Sequence, residues 1–137
     1  MKRCFSFILV CGLLCFLLTG CKSEEDSLAK RELSSLKTED ITSFQVTLRP
    51  PDETITITDA EDISELIAIL NKVTISGKDD SYNEYSGQWV EFELMMSDGS
   101  SKNVAAYNPF IIIDGVGYKT EYEPCEELNA FGNRFVK

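Results

Sequence analysis

Two turn motifs in the second half of the chain constrain its fold more strongly than any other feature. Apolar and polar residues alternate over residues 89–96, and Ser97-Asp98-Gly99 follows as a turn motif. Residues 110–113 are apolar and lead into Asp114-Gly115, a second turn motif. Each turn joins two neighbouring antiparallel strands, so residues 89–119 predict a four-stranded meander.

The register of the first hairpin follows from matching its apolar side chains. With a three-residue loop that ends in a bulge at Gly99, Phe92 pairs with Val104 and apolar residues share one face. A two-residue loop would set apolar side chains against polar ones. The favoured register also places Trp89 opposite Tyr107.

The second hairpin has an equally readable register. A two-residue loop at Asp114-Gly115 pairs Ile111 with Tyr118 across the two strands. The same pairing places Gly117 opposite Ile112. We expect the missing side chain at Gly117 to admit a close neighbour.

The first half of the domain predicts two strands and a helix. Apolar residues alternate over residues 44–48 and again over residues 55–57, with Arg49-Pro50-Pro51-Asp52 as the turn between them. The apolar period then changes to that of a helix over residues 60–73, and Thr58-x-x-Glu61 offers a capping box at its start.

A last helix completes the predicted fold. Pro124 suits its first turn, and one face carries a stripe of apolar side chains: Cys125, Leu128, Phe131 and Phe135. The element order is ββαββββα. The sequence therefore predicts a single small α+β domain over residues 41–137, with a mostly antiparallel sheet of about six strands covered on one face by two helices.

The first forty residues differ in composition from this domain. Residues 22–40 are rich in charge and serine and contain no aromatic residue, so we expect a flexible, charged tether over residues 21–40, with at most a transient helical turn around Ala29, Leu33 and Leu36. Lys2 and Arg3 precede an apolar stretch over residues 5–18, which is shorter than the roughly 20 residues of a spanning helix. Residues 1–20 have the organisation of a cleaved signal peptide.

The end of this leader resembles the lipobox of bacterial lipoproteins. Leu18-Thr19-Gly20-Cys21 closes the apolar stretch with small residues before a cysteine. The resemblance implies cleavage before Cys21, and the Cys21 thiolate then takes a diacylglyceryl group whose two acyl chains, such as palmitate, hold the protein at the membrane. It also implies a lipid anchor on the outer face of the cytoplasmic membrane, in either a Gram-positive or a Gram-negative envelope.

A second resemblance concerns the domain. Residues 88–129, with the segment YNPFIIIDGVGYKTEYEPCEELN, are similar to the tails of small uncharacterised lipoproteins from Gram-positive bacteria such as clostridia. This resemblance implies no activity, cofactor or site residue beyond the lipidated Cys21.

Composition excludes several kinds of function. The chain has 23 acidic and 13 basic residues and a formal net charge of −10, so its surface repels nucleic acid and anionic headgroups. It contains no histidine, which removes imidazole bases, imidazole metal ligands and a Ser-His-Asp triad. Gly115-Val116-Gly117 lacks the third glycine of a dinucleotide loop, and we expect no cofactor.

Cysteines and carboxylates give little support for catalysis. Three of the five cysteines lie in the predicted leader, and Cys125 is the one cysteine that follows Cys21 in the sequence. We expect Cys125 to be a buried small apolar residue rather than a nucleophile. Residues 79–84 collect oxygen ligands but lack the EF-hand spacing, which favours a solvated loop without metal. Glu91 and Glu93 share one strand face as a glycosidase pair might, but a polar outer face is the simpler interpretation.

The aromatic residues predict a binding surface. If Trp89 and Tyr107 face solvent as a cross-strand pair, they form a patch for a protein or glycan partner, and Glu91 and Glu93 give it an acidic rim. The alternative is that the pair lies under the final helix as a second small core. Tyr82 and Tyr85 lie in the adjoining loop.

Two classes of function are consistent with these features. The first is a non-catalytic, membrane-tethered binding module, such as an inhibitor, an immunity protein, a sensor or an accessory subunit. The second is a small extracytoplasmic hydrolase or a chaperone for an exported substrate. The lack of histidine and of a nucleophile motif favours the first class.

Overall fold

A computed structural model of the chain describes residues 22–136. Over this range the chain forms three α-helices and one seven-stranded sheet, so it is a small α+β domain as the sequence predicts. The helices are α1 (Lys22–Ser34), α2 (Ala60–Leu70) and α3 (Tyr122–Asn133). The strands are β1 (Ile41–Arg49), β2 (Glu53–Ile57), β3 (Gly77–Lys78), β4 (Trp89–Met96), β5 (Ser101–Tyr107), β6 (Phe110–Ile113) and β7 (Val116–Lys119).

The sheet is antiparallel throughout, with the strand order β2-β1-β4-β5-β6-β7-β3. Both predicted hairpin registers are confirmed, since Phe92 pairs with Val104 and Ile111 pairs with Tyr118. The strand that the sequence does not predict is β3, whose two residues pair with β7 at the edge of the sheet. Two residues are too few to show an apolar alternation.

The main core lies between one face of the sheet and the helices. Phe44 of β1 and Phe92 of β4 are fully buried, and each ring lies 6.0 Å from the ring of Phe131 in α3. Gly132 permits this close approach, because a Cβ there would clash with Val90 and would lie 3.3 Å from Val46 and Phe92. Helix α2 adds a buried face made of Ile63, Leu66, Ile67, Ile69 and Leu70.

The start of the domain differs from the prediction. Residues 22–34 form α1 instead of a flexible tether, and Ala29, Leu33 and Leu36 are buried in the main core. Ala29 and Leu33 lie one turn apart on one face of α1, and Leu36 follows just after the helix ends. Few apolar residues therefore suffice to dock a segment whose average composition is polar. The folded domain therefore begins with α1 rather than at residue 41. Cys21 and the predicted leader lie outside the described residues.

The helix predicted over residues 60–73 is present as α2, but it ends at Leu70 and its cap differs. The N-cap is Asp59 rather than Thr58, and its Oδ1 accepts hydrogen bonds from the backbone N–H groups of Glu61 and Asp62 at 2.9 and 3.2 Å. Both residue types cap well, and a carboxylate adds a favourable interaction with the positive end of the helix dipole.

Candidate functional site

The predicted binding residues lie on the sheet face opposite the helices. Strand β4 directs Val90, Phe92 and Leu94 into the main core and leaves Trp89, Glu91 and Glu93 half-buried on the opposite face. The ring centroids of Trp89 and Tyr107 lie 5.8 Å apart, as their predicted cross-strand positions require. The structure therefore brings all four predicted residues to neighbouring positions on one face.

Tyr107 is not part of an exposed patch. It is buried within a second small cluster with Ala105, Phe110 and Ile112, against which Tyr82 and Trp89 pack. The alternative prediction, a second small core, thus holds for Tyr107. The prediction that the final helix covers this core was wrong. Helix α3 packs on the other face of the sheet, and residues 79–85, here called the covering segment, lie over this cluster.

The covering segment is held close to strand β7. The backbone N–H of Asp79 donates to the Gly117 carbonyl at 2.9 Å, and the Gly117 N–H donates to Oδ1 of Asp80 at 2.8 Å. A Cβ at Gly117 would lie 2.5 Å from the Asp79 carbonyl oxygen and 2.6 Å from the Tyr82 ring. The close neighbour predicted for Gly117 is therefore confirmed, and it is the covering segment.

An open groove of about 400 Å³ begins where the covering segment ends. We call it the Trp89 groove. Its floor is formed by Ala105 and Ile112, and Ala105 pairs with Glu91 on one side and with Ile112 on the other. The small side chain of Ala105 creates a depression between larger neighbours. The complete lining is Tyr82, Trp89, Glu91, Asn103, Ala105, Ile112, Asp114 and Gly115.

One wall of the Trp89 groove is aromatic. The Tyr82 and Trp89 rings lie 5.9 Å apart, and Trp89 Nε1 donates a hydrogen bond to Oε2 of Glu91 at 2.9 Å. The same carboxylate oxygen lies 3.7 Å from Nη1 of Arg49 on β1. These contacts fix the orientation of the indole, so the wall is formed before any partner arrives.

The other wall is polar and connects to α1. Asp114 accepts a hydrogen bond from the backbone N–H of Asn103 at 2.8 Å and another from Lys102 Nζ at 3.2 Å. Lys102 also donates to Glu32 of α1. Desolvation lowers the pKa of Lys102, but the hydrogen bonds to Glu32 and Asp114 outweigh it and hold this pKa above its ordinary value. The Lys102 charge is thus already matched by two carboxylates.

Part of this site is predictable from the sequence. Trp89 and Glu91 are among the predicted residues, whereas the polar wall of Asn103 and Asp114 and the apolar floor are not. The predicted register already placed Asn103 opposite Glu93, so pairing alone would have put its side chain on the groove face. The depression needed a further signal, which is the small Ala105 between two larger cross-strand neighbours.

The residues considered for catalysis or metal binding are placed as follows. No group of carboxylate, thiol or imidazole side chains within residues 22–136 could hold a metal ion. Cys125 is fully buried, and its Sγ lies 3.3 Å from the Phe110 carbonyl oxygen, to which it donates. Burial raises the pKa of this thiol to about 12, so it is protonated at neutral pH and a poor nucleophile.

A second open groove, of about 430 Å³, lies between α2 and α3. Ion pairs cross it, since Lys72 Nζ lies 3.1 Å from Glu127 Oε2 and Arg134 Nη1 lies 2.9 Å from Glu65 Oε2. These pairs join the two helices above the main core. Their geometry explains the groove as part of the helix packing.

Comparison of the chain with protein-family models, with curated proteins and with solved structures gives no match. Within the part of the chain that the structure covers, no helix has both the length and the apolar character needed to cross a bilayer.

Proposed function

We propose that this protein is a membrane-anchored, extracytoplasmic lipoprotein that binds a partner without catalysis. The Trp89 groove carries this proposal, because it combines an oriented aromatic wall, a small apolar floor and a polar wall on the face that the helices leave free. Aromatic side chains in pre-formed depressions are common centres of protein and glycan recognition. The partner is a protein or a glycan.

The lipid anchor is the part of the proposal that depends on the leader. The motif Leu18-Thr19-Gly20-Cys21 supports lipidation at Cys21, which would hold the protein at the outer face of the cytoplasmic membrane. Because α1 begins at Lys22 and docks on the sheet, the acylated residue would directly precede the folded domain. The groove would then stay near the membrane surface.

Metabolic labelling tests the anchor. We expect the full-length chain expressed in a bacterium to incorporate labelled palmitate and to fractionate with membranes, and a Cys21→Ser variant to do neither. A Cys125→Ser variant is the matched control and keeps both properties. Label that persists in the Cys21→Ser chain would reject the proposed anchor.

Affinity capture tests the binding module. We expect the full-length protein in detergent to retain a defined envelope component, and Trp89→Ala to lower its affinity by about tenfold or more, as loss of a central aromatic residue does. Tyr122→Ala removes an exposed aromatic residue outside the groove and is the control. Asn103→Phe fills the groove from its rim and gives a second, independent loss.

The alternative class predicts different results. A hydrolase would convert the captured component, and a chaperone would hold unfolded exported chains regardless of the groove variants. Equal retention by the native protein, Trp89→Ala and Asn103→Phe would reject binding through the Trp89 groove.

A further inference from the structure

The walls of the Trp89 groove differ in chemistry, and this difference indicates what kind of group fits. We propose that the groove accepts a lysine or arginine side chain of a protein partner. This inference rests on the proposed function and adds the chemistry of the occupant to it.

The floor suits the stem of a long basic side chain. Ala105 and Ile112 are each only 3% exposed, and both line the depression with apolar groups. Lysine and arginine carry aliphatic stems that pack on apolar surface while the charged group reaches a polar site. A groove of about 400 Å³ offers room for one such side chain and for part of its backbone.

The aromatic wall suits the charged end of the same side chain. Cations are attracted to the electron-rich faces of tryptophan and tyrosine within about 6 Å of the ring centre. The hydrogen bond from Trp89 Nε1 holds the indole edge against Glu91, which leaves the ring itself to form the wall beside Tyr82. A guanidinium or ammonium group between this wall and Glu91 would contact both an aromatic ring and a carboxylate.

The charge around the groove has the sign that a cation requires. Glu91 and Asp114 lie in its walls, and Glu93 lies one cross-strand pair further along the same face, opposite Asn103. Two cations lie nearby, but each is shared between two carboxylates. Lys102 contacts Glu32 and Asp114, and Arg49 lies 3.7 Å from both Asp52 and Glu91.

The net charge of the whole chain also favours a basic partner. Its formal net charge of −10 attracts a basic partner over distances of about a Debye length. A glycan gains nothing from this charge. Charge complementarity therefore favours a basic protein segment over a neutral glycan as the occupant.

Titration of the full-length protein in detergent with three short probes tests this proposal. The probes are a lysine-containing peptide, the same peptide with glutamine at every lysine, and a neutral chitin oligosaccharide. Trp89 is the only tryptophan, so its emission reports directly on the groove. We expect the lysine peptide to shift this emission and to bind at least about tenfold more tightly than the glutamine peptide.

Charge variants separate the groove from the general acidity of the protein. We expect Glu91→Gln and Glu93→Gln each to weaken the lysine peptide by about threefold to tenfold. Glu123→Gln removes the same charge at an exposed site on α3 and is expected to change the affinity little. Within the described residues the Glu93 side chain has no hydrogen-bond or ion-pair partner, so we expect its substitution to leave the fold intact.

The outcomes distinguish this inference from the proposed function. Equal binding of the lysine and glutamine peptides, tighter binding of the oligosaccharide, or an equal effect of Glu123→Gln would overturn the basic occupant. The proposed binding module would survive any of these results, because it is judged by capture through Trp89. No emission change with any probe would also overturn the basic occupant.

Discussion

Gly117 is the residue at which the covering segment comes closest to strand β7. Its backbone carbonyl and N–H hold the covering segment, while its pairing with Ile112 places it beside the groove floor. A side chain at this position has no space, because the nearest obstacle is the Asp79 backbone rather than a flexible side chain. The shape of the groove therefore depends on a residue that does not line it.

Substitution of Gly117 is expected to displace the covering segment. Gly117→Ala forces the Asp79 and Tyr82 contacts apart, and overpacking of this kind costs about 1–3 kcal/mol in the free energy of unfolding. Urea denaturation measures this cost, and Trp89 emission reports the displaced Tyr82 ring. Gly87→Ala is the matched control, since its new Cβ would meet Tyr107 at an ordinary 3.4 Å. Equal stability of the two variants would show that the segment is not packed against β7.

Helix α1 is the element that differs most from its sequence-based prediction. Its exposed residues are largely charged, so average composition predicts a tether, yet Leu33 is only 1% exposed and the Lys102 bridge joins Glu32 to Asp114. The helix is therefore part of the domain. It also connects the residue next to the proposed anchor with one wall of the groove.

Truncation of the buried face of α1 tests this conclusion. We expect Leu33→Ala to lower the free energy of unfolding by about 2–5 kcal/mol, the usual cost of a large-to-small change in a core. Leu28→Ala on the same helix is the control, because Leu28 is 59% exposed and its loss leaves no cavity. A flexible tether would give no change for either variant in chemical denaturation.

The covering segment is expected to loosen in acid. Hydrogen bonds from the hydroxyl and the backbone N–H of Ser81, helped by Lys119, hold the pKa of the Asp79 carboxyl below its ordinary value of 3.8. A carboxyl with a lowered pKa stabilises the folded form fully above its unfolded value, and this stabilisation is lost as pH falls through the folded value. The Asp79 carboxylate thus helps to hold the covering segment in place at neutral pH, and it ceases to do so in acid.

Trp89 emission during acid titration measures this loosening. We expect a change that begins below about pH 4 in the native protein and is already present at neutral pH in Asp79→Ala. Asp98→Ala is the control, because Ser100 likewise lowers the pKa of the Asp98 carboxyl, but this residue lies in the β4–β5 loop away from Trp89. An acid response that is unaltered in Asp79→Ala would exclude this carboxylate as the cause.

Local sequence patterns correctly predicted those elements whose structure depends on local interactions. The β4–β5 and β6–β7 registers follow from turn chemistry and from matched apolar faces, and both are confirmed. Docking of α1 and the placement of the covering segment are tertiary events. The residues 79–85 show no apolar period, so the sequence did not predict that they cover Tyr107 on the face opposite α3.

The whole molecule has two faces with different roles. The helices α1, α2 and α3 close one face of the sheet over the main core, and ion pairs across α2 and α3 complete that layer. The other face carries the Trp89 groove, which lies between the covering segment and the polar wall of Asn103 and Asp114. If the proposed anchor directly precedes α1, the molecule presents this groove near the membrane surface, within reach of other envelope components.

Site-specific photocrosslinking in intact cells tests whether the groove face binds a partner. A small aliphatic amino acid that carries a photoreactive diazirine is placed at position 103, which lies on the groove, because it has no aromatic ring to fill the groove. The same amino acid at position 68 lies exposed in the groove between α2 and α3. We expect position 103 to capture one envelope component, the Trp89→Ala change to abolish that capture, and position 68 to give none. Capture from position 68 alone would contradict partner binding through the groove face. Capture from position 103 that is unchanged by Trp89→Ala would contradict it as well.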